Sequence, residues 1–238
     1  MLADNGCIYA PISRATEELP PMRSLPKFAV FAVAGQVVLL ASAWLLPLAS
    51  EYRLVGDNIS GLTLGRYGFV LTLAFVISGL GVLGLAYAIR QLTAGIQGSW
   101  VGSVLIAIYG LGALVVAIFP TDRIDSKADV WSQSTTGWIH SLTAFVAYLS
   151  VIIGMIVLTW TYARDPRWRS LVLGSALLTG AALALLFVQV EGPWVGLMQR
   201  LLTTAISGWL IVVALHIRTV AEQVEPSAAR NHLSETSS

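Results

Sequence analysis

The sequence predicts an all-α integral membrane protein, a bundle of six transmembrane helices with both termini cytoplasmic. Three observations lead there. Of 238 residues, 56% are hydrophobic and only 11% are charged, where a soluble domain carries about a quarter charged residues. The apolar residues gather into six runs, roughly 28–50, 68–90, 100–120, 137–161, 170–190 and 195–217, each close to the ~20 residues that cross a hydrocarbon core of about 30 Å. The Lys and Arg residues also fall unevenly on the two sides that six crossings create. Lipid offers the backbone no hydrogen-bond partner, so such runs must be helices. They lack the period-two alternation of a membrane barrel.

Residues 1–26 hold four prolines (Pro11, Pro20, Pro21, Pro26) and read as a disordered tail anchored by Lys27. Residues 27–218 form the membrane domain, and 219–238 read as a polar, disordered tail. One side of the membrane takes nine Lys/Arg: Arg14, Arg23, Lys27, Arg90, Arg164, Arg167, Arg169, Arg218 and Arg230. The other takes five: Arg53, Arg66, Arg123, Lys127 and Arg200. The positive-inside rule therefore puts both termini in the cytoplasm and residues 119–140 outside. Trp100, Trp160 and Trp168 at inner boundaries and Tyr67, Trp138 and Trp194 at outer ones are expected to form interfacial belts. The first run exceeds a signal-peptide core in length and follows Glu17 and Glu18, so it reads as an uncleaved span. Cys7 is the single cysteine, which excludes an intramolecular disulfide. A net charge of +1 gives no sign of a nucleic-acid partner; membrane lipids are the expected surroundings.

Several polar or glycine-bearing features have structural readings. "GLGVLG" (79–84) has the spacing of a dinucleotide fingerprint but lies inside an apolar helix. There its glycines, like Gly110, Gly112, Gly174 and Gly180, are expected to let helix backbones approach closely. Gln36 within the first span is expected to hydrogen-bond a neighbouring helix, and His216 to be an ordinary helix-end residue.

The outer ends of spans three to six are different. Asp122 follows Pro120 at the end of span three, and His140 sits about one turn into span four, which Thr135 or Thr136 can cap. Glu191 closes span five. Arg200 lies some six residues into span six, at a depth that is costly unless the side chain is paired or reaches the interface. Asp122 and Glu191 are its expected counter-charges. In one reading these residues form a structural ion pair beside a hydrogen-bonded histidine. In the other, Asp122, His140, Glu191 and Arg200 line a ligand-binding pocket open to the outer leaflet. His140 with Asp122 is also the candidate catalytic pair, although no spaced motif assigns a reaction or a nucleophile. A single histidine on this side argues against a metal site, and no cofactor is implied.

Four short stretches carry a family resemblance: "ISGLTLG" (59–65), "FPTD" (119–122), "TGWIH" (136–140) and "GLMQRL" (196–201) followed by Trp209. Their order at the outer ends of successive spans resembles domain-of-unknown-function family 998, six-pass bacterial membrane proteins. The resemblance covers roughly residues 30–217. It implies a six-helix fold and a plasma-membrane location, and it supplies no activity. The reading that follows is a protein binding a polar or anionic head group, lipid or quinone-like, with Arg200 as cation, His140 as switchable donor and Asp122 as orienting group. The alternatives are an intramembrane enzyme acting on a lipid-like substrate and a small transporter.

Overall fold

The computed structural model describes residues 24–123, 131–187 and 193–235, with residues 221–235 described by backbone alone. The N-terminal tail, Cys7 and Glu191 lie outside the described residues. Among the described residues six long helices follow one another: α1 (Leu25–Leu45), α2 (Gly68–Leu92), α3 (Ser99–Ile118), α4 (Thr135–Tyr162), α5 (Val172–Phe187) and α6 (Val195–Glu235). Short 3-10 turns occupy Leu46–Ala49, Ser60–Leu64 and Arg169–Leu171. Six helices are long and apolar enough to cross a membrane, and no strand occurs among the described residues.

Local sequence explains the ends. Pro26 falls in the first turn of α1, where a missing N–H leaves no helical bond unmade. α3 stops at Phe119, which is extended as the residue before a proline must tend to be. α4 is capped by Ser134, whose Oγ accepts from the Gly137 N–H at 3.1 Å. The expected caps, Thr135 and Thr136, instead begin the helix, because Ser134 has the extended backbone a cap requires. α6 continues in helical backbone past its apolar stretch, which ends at Val220, to Glu235.

α1 packs on α2, α2 on α3 and α3 on α4, while α6 returns to α1 and α5 leans on α6 and α4. The α6 span is the most enclosed, with 61% of its apolar window buried, and α5 the least, with 22%. α6 is thus the central staff and α5 a peripheral helix. Helix association in lipid relies on close packing and interhelical hydrogen bonds, and both occur. At the α2–α3 crossing a Cβ on Gly79 would meet the Gly110 carbonyl at 2.8 Å, and one on Gly110 would meet that of Gly79 at 3.0 Å. The "GLGVLG" stretch is therefore a packing surface. Gly174 and Gly180 do not serve this way: a Cβ on either meets nothing within 4 Å, because this part of the peripheral α5 faces away from the bundle. Gln36 ties three helices together, donating to Ser78 Oγ and accepting from Ser207 Oγ, both at 2.8 Å.

The end of the bundle nearest the chain termini is closed by aromatic stacking. Trp168 is fully buried and stacks on Tyr162 at 4.8 Å between centroids, with Trp209 on the same ring at 6.4 Å. Trp168 is therefore a core residue and not part of an interfacial belt; Trp100, Trp160, Tyr67, Trp138 and Trp194 are all exposed. His216 Nε2–H donates to the Arg167 carbonyl at 2.8 Å, holding α6 to the α4–α5 connection. In that connection Arg167 Nη2 pairs with Asp165 at 2.6 Å and holds its carboxyl below the usual range.

Two outcomes follow. Gly110→Val should cost about 1–3 kcal/mol by forcing α2 and α3 apart, whereas Gly180→Val should leave detergent-solubilised melting nearly unchanged; equal losses would refute the assigned crossing. The lowered Asp165 value means its stabilising contribution is present above the unfolded carboxyl value of about 3.9 and fades as pH falls through the lower folded value. Melting temperatures of wild type and Asp165→Asn should differ at neutral pH and converge in acid; a gap that persists unchanged would assign the effect to something other than the ion pair.

Candidate functional site

Two stitched junctions build the end of the bundle that carries the α1–α2 and α3–α4 connections. The first joins α3 to α4. Asp122 accepts from Ser134 N at 2.6 Å and from Ser134 Oγ at 2.9 Å, so a carboxylate reinforces the cap at the positive end of α4. Gly137 makes room for it, since a Cβ there would collide with the carboxylate. One turn further on, His140 Nδ1–H donates to the Phe119 carbonyl at 2.8 Å, and the Val116 carbonyl lies close by. A carbonyl only accepts, so Nδ1 holds a proton, and in the neutral ring Nε2 is then an acceptor. "FPTD" and "TGWIH" are the two halves of this junction.

The second junction centres on Arg200, which is wholly buried. Its Nε donates to the Ala43 carbonyl in the last turn of α1 at 2.9 Å. Its Nη1 donates to the carbonyls of Leu54, Asp57 and Gly196 at 2.8, 2.7 and 3.0 Å. Nη2 has no hydrogen-bond partner among the described residues. The cation thus takes up carbonyls that the end of a helix and an irregular loop would otherwise leave unmatched. Leu197 N also donates to the Val55 carbonyl at 2.9 Å, and Ile59 N to Gln199 Oε1 at 2.7 Å. Gly196 allows this contact, because a Cβ would strike the Asp57 backbone. "GLMQRL" and the start of "ISGLTLG" meet here.

Between the junctions lies a cavity of about 240 Å³, just below the ~300–1,000 Å³ of ordinary small-molecule sites. Leu39, Phe75, Val116 and Ala144 give it apolar walls, and Asn58 to Ser60 border it from the loop. Its polar groups come from Tyr109 (α3), His140, Ser141 and Tyr148 (α4), and Gln199 and Thr203 (α6). Tyr148 Oη and Thr203 Oγ1 are 3.1 Å apart. No charged residue lines it among the described residues. A second cavity, of about 330 Å³, has a charged lining that includes Glu51, Arg53, Asp57, Asp122 and Arg123. Asn58, Ser60 and Thr121 border both, so the charged cavity adjoins the neutral one.

The family model described as "Protein of unknown function (DUF998)" matches residues 32–216, most of the chain and all six spans in whole or in part. The chain belongs to the DUF998 family. No curated protein and no solved structure matches it. The match and the spans together make it a multi-pass membrane protein of an uncharacterised family.

The DUF998 fold distributes the four residues singled out by sequence in different ways. His140 lines the neutral chamber and Asp122 the charged cavity, while Arg200 lines neither. Asp122 spends its oxygens on Ser134 and Arg200 its Nε and Nη1 on carbonyls; among the described residues Arg200 forms no ion pair. The anticipated Asp122–Arg200 pairing is replaced by backbone contacts, because the irregular loop supplies acceptors nearer to the guanidinium. Glu191 lies outside the described residues. Asp122 does not orient His140 through a hydrogen bond; the Phe119 carbonyl does. Gln199, Tyr109, Tyr148 and Thr203 were not singled out. Gln199 carried a signal, as a polar residue beside Arg200 in an apolar span; the tyrosines and the threonine carried none, being common within apolar helices.

Arg200→Ala should destabilise the protein by at least about 3 kcal/mol, since three carbonyls outside α6 lose their donor. Arg200→Lys should recover only part, because an ammonium concentrates its donors at one point. The check is melting temperature together with protease cleavage within residues 51–60; an unshifted melt and an uncleaved loop in Arg200→Ala would rule out the junction as the element that holds the loop.

Proposed function

We propose that this protein binds the head group of a membrane-resident amphiphile, a lipid or a quinone-like molecule, in the chamber beside His140. The observation that carries the reading is a cavity with apolar walls and a few convergent polar groups, roofed by a stitched loop, at one end of the bundle. Ligand sites have this make-up. The nine-to-five bias of Lys/Arg supports an orientation with both termini cytoplasmic, and that would put the chamber in the outer leaflet. Membership in a family of bacterial six-pass proteins supports the plasma membrane as its location. In this reading His140 and Gln199 touch the ligand, Asp122 borders its polar approach, and Arg200 acts by holding the roof in place. The protein serves as a binding or accessory component, with membrane lipids as its partners.

The test is mass spectrometry of the intact protein released from detergent or nanodiscs, followed by binding of a short-chain ubiquinone, its quinol and short-chain lipids. Wild type should retain or bind an amphiphile, and Ala144→Phe, which fills the chamber wall, should lose it with little change in melting temperature. Binding by Ala144→Phe equal to wild type, or no amphiphile on either, would refute the assignment.

A further inference from the structure

The hydrogen bonds around the chamber give its lining a definite polarity, and this deepens the head-group reading on which it rests. His140 has one ring nitrogen committed: Nδ1–H donates to the Phe119 carbonyl at 2.8 Å. A neutral imidazole fixed in this way offers only an acceptor, Nε2, to anything beside it. Gln199 is committed in the opposite sense. Its Oε1 accepts from Ile59 N at 2.7 Å and its NH2 lies beside the Tyr148 hydroxyl, so the group left over is the second amide hydrogen, a donor. Both residues line the same chamber. The cation that would neutralise an anionic head group is not among the lining residues, because Arg200 turns Nε and Nη1 to four carbonyls. An anion entering such a site would lose its hydration without gaining a counter-charge.

From this geometry we infer that the chamber selects an uncharged, hydroxyl-bearing head group on an apolar tail. The ligand O–H donates to His140 Nε2, and a ligand oxygen accepts from the Gln199 amide. A hydroxyl satisfies both, since it donates and accepts at once. A quinone satisfies only the Gln199 donor, since its carbonyls accept and offer nothing to His140 Nε2. A phosphate head group fails on charge. Two kinds of amphiphile carry the required chemistry: quinols and acylglycerols with a free hydroxyl. His140 Nε2 is thus the atom that favours the reduced over the oxidised form of a quinone-like ligand, since the lining hydroxyls of Tyr109, Tyr148 and Thr203 can serve either.

The experiment uses the full chain in detergent at about pH 8, above the ordinary imidazole value of about 6.5, so that His140 is neutral. Four probes are compared by calorimetry: a short-chain ubiquinol kept reduced, the matching ubiquinone, dioctanoylglycerol and dioctanoyl phosphatidate. At least one hydroxylated probe should bind about 10- to 100-fold more tightly than both the quinone and the phosphatidate. Preference for the quinol or for the glyceride identifies which source supplies the ligand, and either outcome supports the inference. The quinol's dimethyl ether, which keeps the ring and loses the donors, should bind no better than the quinone. This control changes the ligand and leaves the fold untouched. In His140→Phe the quinol-to-quinone ratio should fall to about one. Quinone or phosphatidate binding as tightly as the hydroxylated probes, in a manner abolished by Ala144→Phe, overturns the polarity argument while the chamber remains a head-group site. Binding by none of the four overturns both.

Discussion

The guanidinium of Arg200 is the constraint on which the loop-bearing end of this bundle depends. Between helices in lipid there is no hydrophobic driving force, so an irregular connection must be held by polar contacts that lipid cannot supply. Arg200 makes four such contacts, reaching the end of α1, the α1–α2 connection and its own helix. One buried side chain thereby ties the first and last helices of the chain and fixes the loop that roofs the chamber. The same charge would be costly if it stood alone. Its stability derives from carbonyl dipoles, which hydrogen-bond a cation strongly.

A second junction completes the frame with a different chemistry. Asp122 and Ser134 satisfy the donors at the start of α4, and His140 reaches back to the Phe119 carbonyl. Both junctions use the short motifs that characterise the family resemblance. Most of the polar capacity of those motifs is thus spent on architecture, and the atoms left for a ligand are few: His140 Nε2, one Gln199 amide hydrogen and the Tyr109 hydroxyl. Because the junctions fix which atoms are left over, they also fix the donor–acceptor pattern the chamber presents.

Much of the fold was legible without coordinates. Span number and approximate limits follow from run length against bilayer thickness, and Gln36 and the 79–84 glycines behave as polar and small residues in membrane helices do. The misread cases share one cause. Trp168 sits near a helix end like a belt residue but stacks on Tyr162 in the core, and Gly174 and Gly180 look like packing glycines but lie on an open part of α5. Composition at a position is the same in both settings; the neighbouring helix makes the difference.

The site divides along the same line. Sequence by itself determined that Asp122, His140 and Arg200 cluster toward one end of a six-helix membrane bundle, because polar residues in apolar spans are costly and span order sets their depth. Only the tertiary structure decided which atoms they meet. Arg200 met carbonyls in place of carboxylates, and His140 met a helix end in place of Asp122. Tyr109, Tyr148, Gln199 and Thr203, spread over three helices, came to share one chamber. Hydrogen-bond partners depend on the rotation and approach of whole helices, to which run length and hydropathy are blind.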